Sequence, residues 1–193
     1  IFLYENPLNN LNKTTNLYNK NSHYVVYAGR ISDEKGVKEL ISSWKKSNIK
    51  NLNLKIIGEG ESLQKLIAGH QKENIEFLGK LENNEAMKII QNSRAVITAT
   101  KMYEGQPRLL CEASSMGIPS IFPNFGGMVE FFPDDYELKF DQYNYLDLQN
   151  KLNMLDNQNL LKSLSVEVKS FINLKLSDEK LLNIFKSLQL NEQ

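Results

Sequence analysis

Residues 24–58 read YVVYAGRISDEKGVKELISSWKKSNIKNLNLKIIG, and this stretch decides the fold. Its first part, from Tyr24 to Gly29, is a near-continuous apolar run, which is typical of a strand buried on both faces. Apolar residues at helical spacing follow from Lys35 to about Ser47, and a second apolar run covers Leu52 to Gly58. A strand, a helix and a strand of these lengths predict a right-handed crossover between two parallel strands.

The same alternation continues along the chain. The predicted elements are, in order, a helix at 62–70, a strand at 75–79, a helix around 86–90, a strand at 95–100, a helix at 107–116, strands at 119–123 and 136–140, and helices at 146–155, 160–172 and 181–190. This pattern predicts a doubly wound, Rossmann-like α/β fold, in which helices cover both faces of a parallel sheet.

The segment 1–22 differs from the rest of the chain. It is rich in asparagine, contains Pro7 and has no sustained hydrophobic period. We predict that it is a linker from a missing N-terminal domain and that the Rossmann-like domain, with its C-terminal helices, occupies 23–193. The start at Ile1 shows neither a signal-peptide pattern nor an initiator methionine, so we expect a fragment of a longer, cytoplasmic protein.

Composition narrows the classes of function. Of 193 residues, 41% are hydrophobic, which is enough for a sizeable core. Lysine plus arginine equals aspartate plus glutamate, at 23 each, which argues against a nucleic-acid surface or a polybasic membrane anchor. The single cysteine, Cys111, excludes an internal disulfide and a cysteine-cluster metal site. We interpret it as a small core residue rather than as a nucleophile.

In open parallel sheets, ligands bind outside the carboxyl ends of the strands. After the first strand the chain reads AGRISDEKGV, where Arg30 and Lys35 flank a turn that opens a helix. Compact positive charge beside a helix N-terminus suits a diphosphate. The alternative interpretation is two solvated cations paired with Asp33 and Glu34.

The loop after the fourth predicted strand reads ATKMYEGQPRLLCEASSMGIP. It contains Glu104 and Glu112, and two carboxylates at one strand-to-helix junction can accept hydrogen bonds from sugar and ribose hydroxyls. Gly105 allows a close backbone approach, and we place Pro107 as the first helical residue. The alternative is a capping carboxylate plus a salt-bridged helical one, but the apolar neighbours of Glu112 make an unpartnered carboxylate there costly.

A third loop, PNFGGMVEFF, places Gly126 and Gly127 just before another short helix. The backbone amides of such a turn are available to a phosphate or a sugar, although glycine pairs are common in turns generally.

Four segments together resemble a known family: AGRISDEKG, KIIGEGESL, IEFLGKL and EGQPRLLCEASSMGIPSIFPNFGG. They are similar to the C-terminal, donor-binding domain of family-four retaining glycosyltransferases of the GT-B type, which have two facing Rossmann-like domains. The resemblance runs from about Tyr24 to about Glu130. Its specific part is the combination of the Arg-x4-Lys loop with two glutamates separated by seven residues.

The resemblance implies a role for each matched residue. Arg30 and Lys35 hold the donor diphosphate, Glu104 contacts the donor sugar, and these three form the catalytic set. Glu112 binds the ribose hydroxyls. Further donor contacts are implied for Gly58, Gly60, Gly79, Lys80, Leu81, Gly105, Gln106, Pro107, Arg108, Leu109, Gly126 and Gly127. Gln106 and Arg108 depart from the apolar and neutral residues of many members, and Arg108 either reaches a phosphate or charged sugar or pairs with an acidic neighbour.

The activity implied is retaining transfer of a hexose-type sugar from a nucleotide diphosphate sugar, a UDP-sugar or alternatively a GDP-sugar. The acceptor would be a glycan or lipid-linked glycan held by the missing domain, in bacterial capsule or lipopolysaccharide synthesis. No further cofactor, metal or nucleic acid is implied, and the full protein would associate peripherally with the inner face of the membrane. The fragment alone is expected to be inactive, and the alternative function is a non-catalytic nucleotide-sugar-binding module.

Two other classes fit the sequence poorly. The segment GEGESL has Leu63 where a dinucleotide fingerprint needs a third glycine, so a nicotinamide-dependent dehydrogenase is disfavoured. Asp134 and Asp135 are adjacent rather than alternating, and His23 and His70 have no companions at ligand spacing, which argues against a metal site.

Overall fold

The computed structural model describes residues 21–69 and 74–177. The elements of this part are β1 (Tyr24–Ala28), α1 (Val37–Lys46), β2 (Asn53–Ile57), α2 (Leu63–Gly69), β3 (Ile75–Gly79), α3 (Asn83–Gln91), β4 (Val96–Ile97), α4 (Arg108–Ser115), β5 (Ser120–Pro123), a 3₁₀ helix (Gly126–Phe131), β6 (Lys139–Phe140), α5 (Tyr145–Asn153), a 3₁₀ turn (Met154–Asp156) and α6 (Gln158–Lys175).

The strands form one six-stranded sheet in the order β3-β2-β1-β4-β5-β6. All observed pairings are parallel. From β1 the chain adds β2 and β3 on one side of the sheet. It then returns to the other side of β1 and adds β4, β5 and β6 there. Such a reversal leaves a crevice at the carboxyl ends of the two central strands, β1 and β4. The predicted doubly wound α/β class is confirmed.

The central strand β1 is buried because its sequence is apolar on both faces. Val25, Val26 and Tyr27 are at most 2% exposed, and β1 pairs with β2 at each position from Tyr24 to Ala28. Helices cover the sheet: α1 packs against α5, and α4 packs against α6. The apolar stripe of α1 is buried at the predicted spacing, namely at Val37, Leu40, Ile41 and Trp44.

An aromatic cluster packs beside β5, near the edge of the sheet formed by β5 and β6. Phe122 of β5 lies 4.3 Å from Phe132 and 5.8 Å from Tyr136 between ring centroids. The Tyr136 hydroxyl donates to the carbonyl of Ser120 and accepts from the Ser120 amide, both at 2.9 Å. Burial raises the pKa of this hydroxyl well above its usual value. The cluster thus fixes the chain that follows β5.

Several predicted boundaries were wrong, and the helix predicted at 160–172, for example, is Gln158–Lys175. The strand predicted at 95–100 is confined to Val96–Ile97, because beyond Thr98 the backbone leaves the sheet and the Lys101 amide donates to the carbonyl of Glu34 at 2.8 Å. The strand predicted at 136–140 is only Lys139–Phe140, since Tyr136 is drawn into the cluster. Helix α4 begins at Arg108, and Pro107 is its N-cap residue rather than its first helical residue.

Other predictions fall outside the described residues. The helix predicted at 181–190 lies there entirely, and so does nearly all of the linker predicted at 1–22. At the start of the described part, the buried Arg94 donates from Nε to the carbonyl of Ser22 at 3.0 Å and from Nη1 to that of Leu155 at 3.2 Å. The Arg94 side chain thus links the backbone just before β1 to the 3₁₀ turn just before α6.

Candidate functional site

A cleft of about 140 Å³ opens at the carboxyl ends of β1 and β4, where the strand order reverses. Parts of β1, the loop after β4 and the start of α4 supply most of its walls. The lining residues are Tyr27, Ala28, Gly29, Lys35, Thr98, Thr100, Glu104, Pro107, Arg108, Leu109, Leu110 and Met128.

A cation and a carboxylate meet in this cleft. Lys35 Nζ donates to Glu104 Oε1, and the two side chains are 23% and 30% exposed. Their loops can approach because Gly36 has no side chain: a Cβ on it would lie 1.9 Å from the carbonyl oxygen of Ala99. Gly36 also has a φ of 66°, which glycine adopts with little strain. The turn before α1 is thereby packed directly against the chain after β4.

A second ion pair fastens the same two segments. Lys101 Nζ donates to Glu39 Oε1 of α1 at 2.6 Å. The hydrogen bond to Glu39 raises the pKa of Lys101 above its usual value. The loop that carries Glu104 is therefore held at two points, by Lys35 in the turn before α1 and by Glu39 within α1.

Arg30 follows Gly29, a lining residue of the first cleft, but does not itself line that cleft. Its side chain is 58% exposed, and Nη2 donates to Glu34 Oε2 at 3.2 Å. This local pairing matches the alternative that we considered for this loop. The buried Tyr27 hydroxyl donates to the carbonyl of Arg30 at 2.7 Å, and burial raises the pKa of Tyr27 well above its usual value. A strand side chain thus fixes the backbone on which Arg30 is carried.

A second, more open cleft of about 460 Å³ adjoins the first. Its lining residues are Gly29, Arg30, Ile57, Gly58, Glu59, Gly60, Lys80 and Leu81, so Gly29 borders both clefts. The exposed side chains of Lys80 and Glu59 form an ion pair at 3.1 Å across its mouth. Arg30, Gly58, Gly60, Lys80 and Leu81, which the sequence predicted as donor contacts, are therefore gathered in one place.

The glycines of this second cleft serve close backbone packing. A Cβ on Gly58 would lie 1.9 Å from the carbonyl oxygen of Gly29, and one on Gly60 would lie 2.2 Å from that of Ile31. The amide of Gly58 donates to the carbonyl of Gly79 at 2.8 Å. The backbone after β2 is therefore in close contact with the backbone after β1, and it is hydrogen-bonded to Gly79 at the end of β3.

Glu112 faces away from the apolar side of α4 and forms an ion pair with Arg108. Arg108 Nε donates to Glu112 Oε1 at 2.9 Å, with side-chain exposures of 74% for Arg108 and 21% for Glu112. Of the two roles that we considered for Arg108, pairing with an acidic neighbour is the one this structure contains. Arg108 lines the first cleft, whereas Glu112 lines neither of the two clefts.

The glycine pair after β5 supports Glu104 from behind. The amide of Gly127 donates to the carbonyl of Glu104 at 2.8 Å, and a Cβ on Gly127 would lie 2.5 Å from the carbonyl oxygen of Gly105. We predicted that these amides meet a phosphate or a sugar. Here the Gly127 amide orders the loop that presents Glu104, and Gly126 lies beside Tyr103.

Seven lining residues of the first cleft were not among the predicted site residues: Tyr27, Ala28, Gly29, Thr98, Thr100, Leu110 and Met128. The two threonines had a detectable signal, because they alternate at the carboxyl end of a predicted strand, where ligand sites form. Six of the predicted donor contacts line neither of the two clefts: Gly79, Gly105, Gln106, Glu112, Gly126 and Gly127. Cys111 is buried, and burial raises its pKa to about 12, as suits a core thiol.

Within 21–69 and 74–177, no group of three or more His, Cys, Asp or Glu side chains is arranged to hold a metal ion. In the same ranges, no helix combines the length and the apolar character that crossing a membrane requires.

The fold and the two clefts define a class: a Rossmann-like domain that presents cations, a carboxylate and glycine-rich backbone at its topological switch point, chemistry suited to a phosphorylated sugar compound. The chain belongs to the glycosyl transferases group 1 family, whose model matches residues 10–171.

Known relatives agree with this family. The chain is 28% identical over 129 residues to the amylovoran biosynthesis glycosyltransferase AmsD of Erwinia amylovora, a match that covers 66% of this chain and 37% of AmsD. Among solved structures, it is similar to S. aureus TarM in complex with UDP (TM-score 0.79, 21% identity, 97% of this chain and 39% of that one). It is also similar to Anabaena Alr3699/HepE in complex with UDP-glucose (TM-score 0.73, 16% identity, 88% of this chain and 49% of that one).

At these identities the structural likeness is one of fold. The chain spans 37% of the length of AmsD and less than half of the TarM and HepE chains. The chain is also similar to the catalytic domain of a cholesterol-α-glucosyltransferase from Helicobacter pylori, with a TM-score of 0.70 and 24% identity. This match covers 79% of this chain and 99% of that domain.

Proposed function

We propose that this chain is the donor-binding half of a retaining glycosyltransferase and that it binds a UDP-sugar for transfer of a hexose. The observation that carries the proposal is the contact between Lys35 and Glu104 at the switch point. A cation beside a carboxylate matches the two parts of a nucleotide sugar, because the diphosphate needs positive charge and the sugar hydroxyls need hydrogen-bond acceptors.

The two clefts suit different parts of such a donor. The diphosphate would lie at Gly29, which both clefts share, within reach of Arg30 and Lys35. The exposed pair of Arg30 with Glu34 is weak, so a diphosphate can compete for the guanidinium. The base would enter the second cleft beside Gly58 and Leu81, and the sugar would lie in the first beside Glu104.

For the reaction we propose the front-face route that the family resemblance implies, and the cations near the first cleft support its electrostatic part. The bond between the sugar C1 and the diphosphate breaks while an acceptor oxygen attacks the same face, and the leaving phosphate oxygen takes the acceptor proton. No protein nucleophile is needed for this route. Lys35 and Arg30 stabilise the negative charge that builds on the diphosphate, and Glu104 orients the sugar. These three residues are the catalytic set that we propose.

The similar proteins support the nucleotide and the setting of this proposal. TarM was solved with UDP and HepE with UDP-glucose, which favours a uridine donor over a GDP-sugar. AmsD is a glycosyltransferase of amylovoran biosynthesis, which favours a role in bacterial surface polysaccharide synthesis. We extend the proposal to an acceptor domain in the rest of the protein, to the cytoplasm, and to the inner face of the membrane as the place where a lipid-linked acceptor is met.

Calorimetric titration with UDP, GDP, ADP and NAD tests the proposal. We expect saturable binding of UDP with an affinity clearly above those of GDP and ADP, and no saturable binding of NAD, which serves as the control. Selective binding of GDP would retain the donor-site assignment and change the base. If the folded chain bound none of the three nucleoside diphosphates, the assignment of the two clefts would be wrong.

Replacing Glu112 by glutamine tests the ribose contact. Glu112→Gln removes the charge but keeps the shape, so we expect the Kd for UDP to rise by about tenfold, since a hydrogen bond to a charged group is lost. The Kd for 2′,3′-dideoxy-UDP, which lacks the hydroxyls, should change much less. Glu130→Gln, at an exposed position, is the matched control. Equal losses for both ligands would show that Glu112 does not bind the ribose.

A further inference from the structure

Large apolar side chains are exposed mainly at one edge of the domain. Of the seven that are exposed in the described residues, four lie on the loops that leave the carboxyl ends of β4, β5 and β6: Met102, Tyr103, Phe125 and Tyr143. Exposed apolar residues that are scattered singly are ordinary, but their concentration beside a ligand cleft indicates an interaction surface.

Two of these residues form a defined aromatic corner. The rings of Tyr103 and Phe125 lie 6.0 Å apart between centroids at an interplanar angle of 84°, and the side chains are 69% and 37% exposed. Edge-to-face contact of this kind is a favourable arrangement of two aromatic rings. The corner therefore keeps its shape while most of the Tyr103 ring remains open.

The backbone beneath the corner is also fixed. Tyr103 immediately precedes Glu104, whose carbonyl accepts from the Gly127 amide at 2.8 Å, and Phe125 immediately precedes Gly126. A Cβ on Gly126 would lie 3.4 Å from Tyr103 Cδ2 and 3.1 Å from the carbonyl oxygen of Glu104. The loops after β4 and β5 thus act as one support that places the corner next to Glu104.

The corner lies at the rim of the first cleft rather than inside it. The lining of that cleft includes Glu104 and Met128 but neither Tyr103 nor Phe125. A donor held in the cleft would therefore leave the corner uncovered. What approaches the donor sugar from outside the cleft is the acceptor, and its reacting end must come next to Glu104.

A sugar ring fits the chemistry of this place. The C–H groups of a pyranose face carry small positive charges that suit the negative face of an aromatic ring, while its hydroxyls need acceptors such as a carboxylate. Tyrosine adds a rigid contact area at low conformational cost. We propose, on the basis of the function proposed above, that Tyr103 and Phe125 form this domain's side of the acceptor subsite and pack against the reacting sugar ring of an acceptor that the acceptor domain also holds.

Ligand-observed NMR tests this subsite. The probes are the methyl glycosides of glucose, galactose and N-acetylglucosamine, each titrated into the chain with UDP present. We expect saturable binding of at least one probe, a Kd about tenfold higher in Tyr103→Ala, and little change in Tyr103→Phe, which keeps the ring. Leu174→Ala, which removes an exposed apolar side chain from α6, is the matched control.

Titrations of UDP and UDP-glucose separate this inference from the function it rests on. Tyr103→Ala should leave both affinities unchanged, because neither ligand reaches the corner. If no glycoside binds the wild-type chain, or if all bind Tyr103→Ala equally well, the subsite is refuted even where UDP binds. If Tyr103→Ala loses affinity for UDP-glucose but not for UDP, the corner belongs to the donor sugar and the acceptor assignment is wrong. Absence of UDP binding would instead contradict the proposed function.

Discussion

Gly58→Ala is expected to destabilise the domain by about 3 kcal/mol or more, because it combines overpacking with backbone strain. The new Cβ would lie 1.9 Å from the carbonyl oxygen of Gly29 at a φ of 140°. The obstacle is backbone rather than a flexible side chain, and the Gly29 amide is itself bonded to the carbonyl of Ile57 at 3.0 Å. Relief would require β1 and β2 to separate at the centre of the sheet.

Two other glycines separate these causes. Gly79 has a φ of 67° with nothing within 4 Å of an added Cβ, so Gly79→Ala should cost only the strain, about 1–2 kcal/mol. Gly69 has neither a positive φ nor a near neighbour, so Gly69→Ala should leave the stability unchanged or raise it by up to about 1 kcal/mol. Urea unfolding followed by circular dichroism gives the three values. A Gly58→Ala chain as stable as Gly79→Ala would show that the loops after β1 and β2 are not in close contact.

Much of the fold could be predicted because the spacing of apolar residues along the sequence indicates which side chains are buried. The strand at Tyr24–Ala28 and the helix at Val37–Lys46 follow from apolar runs and helical spacing, which local chemistry determines. The error at 95–100 has a different origin. Thr98 to Thr100 read as strand, but the hydrogen bond between the Lys101 amide and Glu34, a partner distant in sequence, turns the chain away.

In the candidate site, too, some features follow from the local sequence and others from contacts that are distant in sequence. Charged and glycine residues after strands predicted where Lys35, Glu104 and Gly58 would gather, since parallel strands bring their carboxyl ends to one edge. The pairs of Arg30 with Glu34 and of Arg108 with Glu112 join residues four positions apart, and both were among the alternatives that the sequence offered. The partners of Arg94 were not predictable, because the carbonyls of Ser22 and Leu155 are distant from it in sequence.

Lys35→Ala is expected to weaken binding of UDP by about 1.5–3 kcal/mol, or a Kd about 10- to 150-fold higher. The substitution removes the cation that faces the diphosphate. It also leaves the carboxylate of Glu104, 30% exposed, without its partner beside an incoming anion. Calorimetric titration measures the loss, and Lys38→Ala provides the control, since it removes the same charge from an exposed position on α1.

A second substitution distinguishes these two contributions. In the Lys35→Ala background, Glu104→Gln removes the unpaired charge, so the double variant should bind UDP more tightly than Lys35→Ala alone while remaining weaker than the wild type. The coupling exists only if Glu104 and the diphosphate face the same cation. Additive losses in the cycle would place the diphosphate away from Glu104, and a Lys35→Ala chain that bound UDP as well as Lys38→Ala would remove Lys35 from the phosphate site.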